Sequence, residues 1–547
     1  MNKVTNNAYS LLHKDVIALV IITFTIFAIK AIFVVLNSSG PTISDELLNK
    51  FNARAIFEGQ KYAIALYPPA YPLALTPAFF FKYWYEGMLI INAFWSSLIV
   101  PATWLLARAA GVRQSLLAAL LVGLLPMHAI YPNVLRSENL YVPLFVLAVA
   151  LALRGGKAGN IEALVFGFVL GITHLTKYLF LPALPLLVVA WLYSRSKYNP
   201  DVPSASLLQQ YYPALFVLLS YGLVIAIWLI YGYASGFGLS EMFGFGISGH
   251  IAKAATVESL LMWVAAYSSY AILAWLPVWG IITIWVSQLS SKSWRINLES
   301  RHWFFLVLVL LLLGCYWLLA VQHSFGAEYN YPVPQRLIGR YLMPLSPIML
   351  VLGVWVLERI TEAMLCFGRF RALISAGVLI GFSSVAWWIL FNNSIWKVTP
   401  WFANSEQGVP DVIAVVSPLM YLLAITITLL PIVFFYFRKA DVRLLVLPLA
   451  VLMLISLISD AKRMLPLQFG RHFRELAAVG TILSRQGDTI HVLYDGDAQQ
   501  LRLFQESMLF WELKQNQLSV EASLYEEGKK NASFSFPILH TSVMSIL

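Results

Sequence analysis

Asp15-Val-Ile-Ala-Leu-Val-Ile-Ile-Thr-Phe-Thr-Ile-Phe-Ala-Ile-Lys-Ala-Ile-Phe-Val-Val-Leu36 is an uninterrupted apolar run with one lysine near its end. A bilayer's hydrocarbon core of about 30 Å needs ~20 such residues as a helix. The run is too long for the 7–15-residue core of a cleavable signal and lacks a small-x-small cleavage end, so it reads as an anchor. Similar runs follow near 88–108, 114–131, 139–153, 161–176, 178–194, 211–233, 258–289, 302–322, 339–358, 371–391, 411–437 and 442–460. Only helices and closed barrels satisfy their own backbone in lipid, and runs of this length specify helices. The expected fold is an all-α polytopic membrane protein of about 13 spans. The third to sixth runs are short, and a hairpin that turns back before crossing would lower the count to 11.

The whole composition agrees. Of 547 residues 59% are hydrophobic and only 12% charged, about half the ~25% that coats an ordinary soluble domain. This excludes disorder, a secreted disulfide scaffold and a nucleic-acid binder. Cys315 lies in an apolar run and Cys366 in a basic loop, so cysteine usage says nothing of compartment. The net charge of +10 is a topology signal. With the N-terminus inside, the inner segments carry Lys3 and Lys14, Arg108 and Arg113, Arg154 and Lys157, Arg195 and Lys197, a Lys292/Arg295/Arg301 group, an Arg359/Arg369/Arg371 group, and Arg438, Lys439 and Arg443. The short outer loops carry Arg136, Lys177, Lys253, Arg336, Arg340 and Lys397. Cytoplasmic loops hold the excess of Lys and Arg, so the N-terminus is expected to be cytoplasmic; a plasma (inner) membrane is the expected location.

Two segments leave the bilayer in this reading: an outer loop, 37–87, within a membrane domain of 1–460, and an extracytoplasmic tail, 461–547. The tail patterns as a small α/β unit, with helical periodicity over Phe473–Leu483, alternation over Thr489–Tyr494 and helical periodicity again over Gln499–Leu513.

Polar residues concentrate on the outer side. Loop 37–87 contains Ser44-Asp45-Glu46-Leu-Leu, a helix-start pattern in which Ser44 or Asp45 caps free N–H groups, and Tyr67-Pro-Pro-Ala-Tyr71-Pro72, which three prolines hold extended. Arg136-Ser137-Glu138-Asn139 opens the fourth span, and His174-Leu-Thr-Lys177-Tyr178 joins the fifth to the sixth. His323, Glu328, Gln335-Arg336 and Gly339-Arg340-Tyr341 lie before the tenth. Any one cation here has a simpler role, snorkelling at a helix end. Taken together, carboxylates and cations share one membrane face, where a charged lipid headgroup would sit. His128, His174, His250 and His323 fall on separate outer connections without ligand spacing such as His-x-x-x-His, and no metal site is read from them.

The acidic pair after a single span, followed by Tyr67-Pro-Pro-Ala-Tyr-Pro-Leu, resembles the GT-C superfamily of integral-membrane glycosyltransferases. Within it, the chain is similar to relatives of the protein O-mannosyltransferases and the lipid A aminoarabinose transferase. Ser137-Glu138-Asn-Leu-Tyr-Val-Pro-Leu and Gly339-Arg340-Tyr341-Leu-Met-Pro-Leu-Ser-Pro add to the likeness by their order and common sidedness. The resemblance implies a GT-C-like fold, a polyprenyl-phosphate-sugar donor, and a catalytic acid in loop one, by position Asp45, with Glu46 beside it. It places Lys177 and Arg340 where the family keeps cations. Tyr67, His174 and Tyr341 are further candidate substrate contacts. Loop one has no Asp-x-Asp, which points to the branch that works without a metal or other cofactor rather than to the metal-dependent oligosaccharyltransferase branch.

The chemistry matches that inventory. A glycosidase needs a proton donor for its alkoxide leaving group and a second carboxylate. A phosphate leaves already anionic, so the site needs one base for the acceptor hydroxyl and positive charge for the phosphate. Asp45 is the candidate base in a single inverting displacement, Glu46 or Glu138 would position the acceptor or Asp45, and Lys177, Arg336 and Arg340 would hold the phosphate. The acceptor is a protein, lipid or glycan hydroxyl. The rival readings are a transporter or flippase of a lipid-linked sugar, a glycan ligase or polymerase with the same donor, and a non-enzymatic scaffold. A transporter favours paired broken helices and midplane charges; the sequence has no apparent two-half symmetry.

Overall fold

The structure, a computed structural model, describes residues 2–37, 44–62, 65, 67–125, 128, 131–155, 159–198, 207–244, 256–289, 300–327, 339–362, 369–391, 421–426, 428–429, 489–494 and 519–524. In chain order the helices are α1 (Asn2–Asn37), α2 (Ser44–Phe57), α3 (Ala70–Leu75), α4 (Trp84–Ser97), α5 (Ile99–Ala109), α6 (Ser115–Gly123), α7 (Glu138–Arg154), α8 (Asn160–Thr176), α9 (Ala183–Tyr198), α10 (Leu207–Ala234), α11 (Leu239–Met242), α12 (Val257–Ala274), α13 (Leu276–Leu289), α14 (Ser300–Ala327), α15 (Ser346–Glu362) and α16 (Arg369–Phe391). Short 3₁₀ turns occupy Thr76–Phe80, Tyr131–Asn133, Tyr178–Phe180, Gly339–Tyr341 and Met343–Leu345. Among the described residues six helical stretches are long and apolar enough to cross a membrane: Lys14–Leu36, Trp84–Ala109, Tyr212–Ala234, Val257–Ala274, His302–Phe325 and Leu373–Leu390. The chain is a helical integral membrane protein.

Most of the apolar runs reappear as helices. The run near 258–289 is broken into α12 and α13 at Trp275, just before Pro277, which has no N–H to continue the ladder. In the run near 114–131, α6 covers Ser115–Gly123, His128 is again helical, and the chain turns at Tyr131–Asn133. The runs near 411–437 and 442–460 fall largely outside the described residues. In the tail, Thr489–Tyr494 is a strand, as its alternation predicts, and it pairs in parallel with Ser519–Leu524. The two helical stretches expected around it lie outside the described residues.

The core is built around α7. Nearly every side chain of this helix is buried, and α4, α5, α8 and α9 pack against it. Its first residue is Glu138 and its last Arg154, about 24 Å apart at 1.5 Å per residue. At the Arg154 end, Arg154 pairs with Glu162 at 2.7 Å, and Glu358 accepts the backbone N–H groups of Arg113 and Gln114 at 3.1 and 2.6 Å. Of the basic residues assigned to the inner side, Arg154 and Arg195 stand at the end of α7 opposite Glu138.

Two features fix neighbouring helices. On α8, Gly167-Phe-Val-Leu-Gly171 faces α10 so closely that a Cβ at Gly167 would enter the Val217 carbonyl, and one at Gly171 would sit 2.8 Å from Val224 Cβ. Small residues four apart are how membrane helices approach backbone to backbone. On α1, Lys30 is buried rather than snorkelling; its ammonium donates to the Ser96 carbonyl at 3.1 Å and to Ser96 Oγ at 2.9 Å on α4.

Candidate active site at the head of the central helix

The segment Tyr131–Ser137 enters α7, and buried amides from three elements hold it. Asn139 Nδ2 donates to the carbonyls of Tyr131, Val134 and Arg136 at 3.0–3.2 Å. Asn92 Nδ2, on α4, donates to Val134 O at 3.0 Å and Pro132 O at 3.4 Å. From α2, Glu46 Oε2 accepts Leu135 N–H at 2.9 Å while Asn49 Nδ2 donates to Leu135 O at 3.1 Å. Backbone polar groups at membrane depth need such partners, and the result is a rigid floor that aims the first residue of α7.

Glu138 sits on that floor and is only 2% exposed. Lys177, at the end of α8, forms a short ion pair with its Oε1, and Arg340 Nε lies 3.9 Å from the same oxygen. Ser137 Oγ donates to Oε2 at 3.4 Å. The cations lie above the carboxylate and stay partly open, with side chains 17% exposed at Lys177 and 14% at Arg340. Tyr341 closes one side. Lys177 Nζ lies 5.8 Å from its ring centroid and the Arg340 guanidinium 5.8 Å, and His323 meets the ring edge-on at 4.7 Å. The Lys177 ammonium is also 6.0 Å from the Tyr141 ring. Residues more than 200 positions apart in sequence are thus brought to one polar cluster.

Loop one covers this end of the bundle. α2 begins at Ser44, as its capping pattern predicts, and Asp45 is its second residue; the Asp45 side chain lies outside the described residues. Glu46 and Lys50 are buried, Glu46 against the Leu135 backbone and Lys50 with its ammonium 4.1 Å from the Trp84 ring centroid. Tyr71, on α3, donates to Asn92 Oδ1 at 2.8 Å. Burial pushes its phenol well up; the Asn92 bond opposes this, and the carboxylates of Glu46 and Glu138 add to it. Tyr71 therefore lies within electrostatic reach of both acids.

Tyr67 is half-buried, and its carbonyl accepts the Tyr62 hydroxyl at 2.6 Å. Two more phenols grip this strap: Tyr178 donates to Ala65 O and Tyr231 to Gln60 O, each at 3.1 Å. Burial pushes the Tyr62 and Tyr178 hydroxyls up, which keeps them neutral donors. His174 joins an aromatic group. Its Nδ1 bonds to the Tyr221 hydroxyl at 2.7 Å, and its ring stacks on Tyr221 beside Tyr178 and Phe243. Arg336 lies outside the described residues. Among the described residues no three His, Cys, Asp or Glu side chains converge as ligands would.

Of the predicted residues, the structure unites Glu138, Lys177, Arg340 and Tyr341. It places Glu46 on the adjoining floor and Tyr67 and His174 in the strap region. Sequence reasoning missed Asn49, Asn92, Asn139 and Tyr71. One signal was available: an asparagine inside an apolar span needs a buried partner, and Asn92 is such a residue. Tyr270 was missed as well, and it yields a test. A Cβ at Gly339 would collide with the Tyr270 hydroxyl, and Tyr270 is itself buried. Gly339→Ala is expected to push the Gly339–Tyr341 turn off Tyr270 and carry Arg340 away from Glu138. The expected result is at least a ~10-fold loss of turnover at near-native thermal stability, with recovery in the Gly339→Ala/Tyr270→Leu double variant, which removes the ring carbons 2.6 and 3.1 Å from the new Cβ along with the hydroxyl.

No protein-family model matches the sequence, and no curated protein matches it. Solved structures do. Over 93% of this chain and 89% of the other, the fold superposes on the crystal structure of ArnT from Cupriavidus metallidurans bound to undecaprenyl phosphate, with a TM-score of 0.52 and 13% identity. The apo form of that protein superposes over 94% of this chain and 90% of its own, with a TM-score of 0.51 and 13% identity. The fold expected from the loop-one and Gly339-Arg340-Tyr341 stretches is thus the one the chain shares with these ArnT structures.

Proposed function

We propose that this protein is a membrane glycosyltransferase that moves a sugar from a polyprenyl-phosphate donor to an acceptor hydroxyl on the extracytoplasmic face. The observation that carries this reading is the meeting of Lys177 and Arg340 over Glu138 at the head of the central helix, beneath the loop that bears Asp45. Two partly open cations on a buried floor suit a headgroup phosphate, because charge placed in advance stabilises the anion as it leaves. A fold shared with a protein crystallised with undecaprenyl phosphate supports the same donor class.

In this reading the acceptor oxygen attacks the anomeric carbon from the face opposite the phosphate. The C1–O(phosphate) bond breaks, and its electron pair stays on the phosphate between Lys177 and Arg340. Asp45 takes the acceptor's proton, and the anomeric centre inverts. Tyr341 and His323 wall the cation pair, and Glu46 and Asn49 tie α2 to the floor so that loop one keeps its place over it. We read the step as independent of a metal ion.

The test is release of polyprenyl phosphate from a polyprenyl-phosphate sugar by purified protein, comparing wild type with Asp45→Asn. Loss of a positioned general base is expected to lower release ~10²–10⁴-fold. Equal release from both proteins would remove Asp45 from the mechanism, and no release with any donor would favour a carrier of lipid-linked sugars. Unchanged rates under chelator titration would support the metal-independent step.

A further inference from the structure

The ion pairs at Glu138 are unusual for a phosphate clamp, because the clamp contains an anion of its own. Lys177 and Arg340 come from different parts of the chain and reach the same oxygen, Oε1. That carboxylate lies below them, 2% exposed, and is anchored by Ser137 and by its place in the first turn of α7. A carboxylate that only positioned the acceptor would not need to occupy both cations. Among the described residues, the three charges that meet at this oxygen sum to one positive.

We propose that Glu138 sets the charge of the clamp so that it holds a singly charged lipid phosphodiester and lets go of a doubly charged lipid phosphomonoester. The inference rests on the function proposed above. In that reaction the substrate phosphate is esterified twice and carries one negative charge. Breaking the C1–O bond leaves the electron pair on phosphate, and the product monoester carries close to two at neutral pH, its second pKa being near 6. Two bare cations would bind the product more tightly than the donor, and turnover would stall on release. Fixed at the floor, Glu138 repels a dianion twice as strongly as a monoanion at the same place, since the Coulomb energy scales with charge. The same carboxylate takes back both cations as the product leaves, so the empty clamp is never an uncompensated pair of buried charges.

The experiment is binding of farnesyl phosphate and of its methyl ester, a monoester and an inert diester, to purified full-length protein in detergent at pH 8. Because the monoester carries twice the charge, its affinity shift should be the square of the diester's. Glu138→Gln, which keeps the shape and removes the charge, is expected to tighten farnesyl phosphate about 10-fold and the methyl ester only about 3-fold. Ser137→Asp, which adds a carboxylate beside Glu138 at a position that tolerates Asp, is expected to shift both the other way, the monoester more. It keeps the test decisive if Glu138→Gln fails to fold. Glu138→Asp should retain the wild-type preference. In turnover assays with the sugar donor, Glu138→Gln should lower KM and kcat together and sharpen inhibition by added polyprenyl phosphate; a merely structural role would not produce that split.

Lys177→Met separates the two levels of the argument. If it weakens both ligands while the Glu138 and Ser137 variants move them equally or not at all, the clamp stands and its charge-setting anion is overturned. If wild type binds neither ligand and Lys177→Met changes nothing, the clamp is absent and the inference falls with it.

Discussion

Lys177→Met is expected to reduce glycosyl transfer by ~10²–10³-fold, the loss seen when one preorganised donor to a developing oxyanion is removed. It is also expected to destabilise the protein, because among the described residues Glu138 then keeps the Ser137 hydroxyl at 3.4 Å and, as its one cation, Arg340 at 3.9 Å. Breaking one side of a buried pair costs ~3–5 kcal/mol when no partner remains, and Arg340 limits the cost to part of that. Adding Glu138→Gln removes the stranded charge, so the double variant should regain thermal stability in detergent while its turnover stays near that of Lys177→Met. Thermal unfolding and donor turnover measured on the same preparations decide the matter. Recovery of both would make Lys177 a structural partner of Glu138 and nothing more. A wild-type rate in the single variant would remove it from the clamp.

Gly167→Leu should have the largest effect on folding. The α8–α10 contact leaves no room at this glycine, and the nearest group is the Val217 backbone carbonyl, which cannot swing aside as a side-chain tip can. Ordinary overpacking costs ~1–3 kcal/mol; a backbone collision must separate two helices along their length and exceeds that. The expected outcome is loss of a monodisperse peak in size-exclusion chromatography, with Gly167→Ala intermediate. Gly222→Leu, on α10 with nothing within 4 Å of its Cβ position, should leave the peak intact. An unaltered elution profile for Gly167→Leu would mean that the two helices are not held by this contact.

Much of the fold was legible because lipid imposes a length on apolar segments. The stretch 139–153 reads as a helix from sequence and is one, but its central position does not show in its composition, since every span is apolar. The break at Trp275 was hidden for a related reason: hydropathy sees residues 258–289 as one run and is insensitive to a missing N–H. At the site, Glu138, Lys177, Arg340 and Tyr341 were legible as charged or aromatic residues beside the membrane. Their mutual arrangement was not, because long-range proximity leaves no local mark. The asparagine scaffold was the least visible part. Asn49, Asn92 and Asn139 act on backbone carbonyls of Tyr131–Arg136, and a carbonyl acceptor has no identity in sequence.

Lys30 bears on how the chain is made. An ammonium within an inserting helix is costly, up to ~2.5–3.5 kcal/mol at the centre on translocon-derived scales, and the acceptors that receive this one, the Ser96 carbonyl and hydroxyl, belong to α4. The ribosome has yet to synthesise them when α1 first meets lipid. The opening segment therefore enters the bilayer incomplete and reaches its resting state only after some sixty further residues have emerged, which makes the first hairpin, rather than the first helix, the unit of biogenesis.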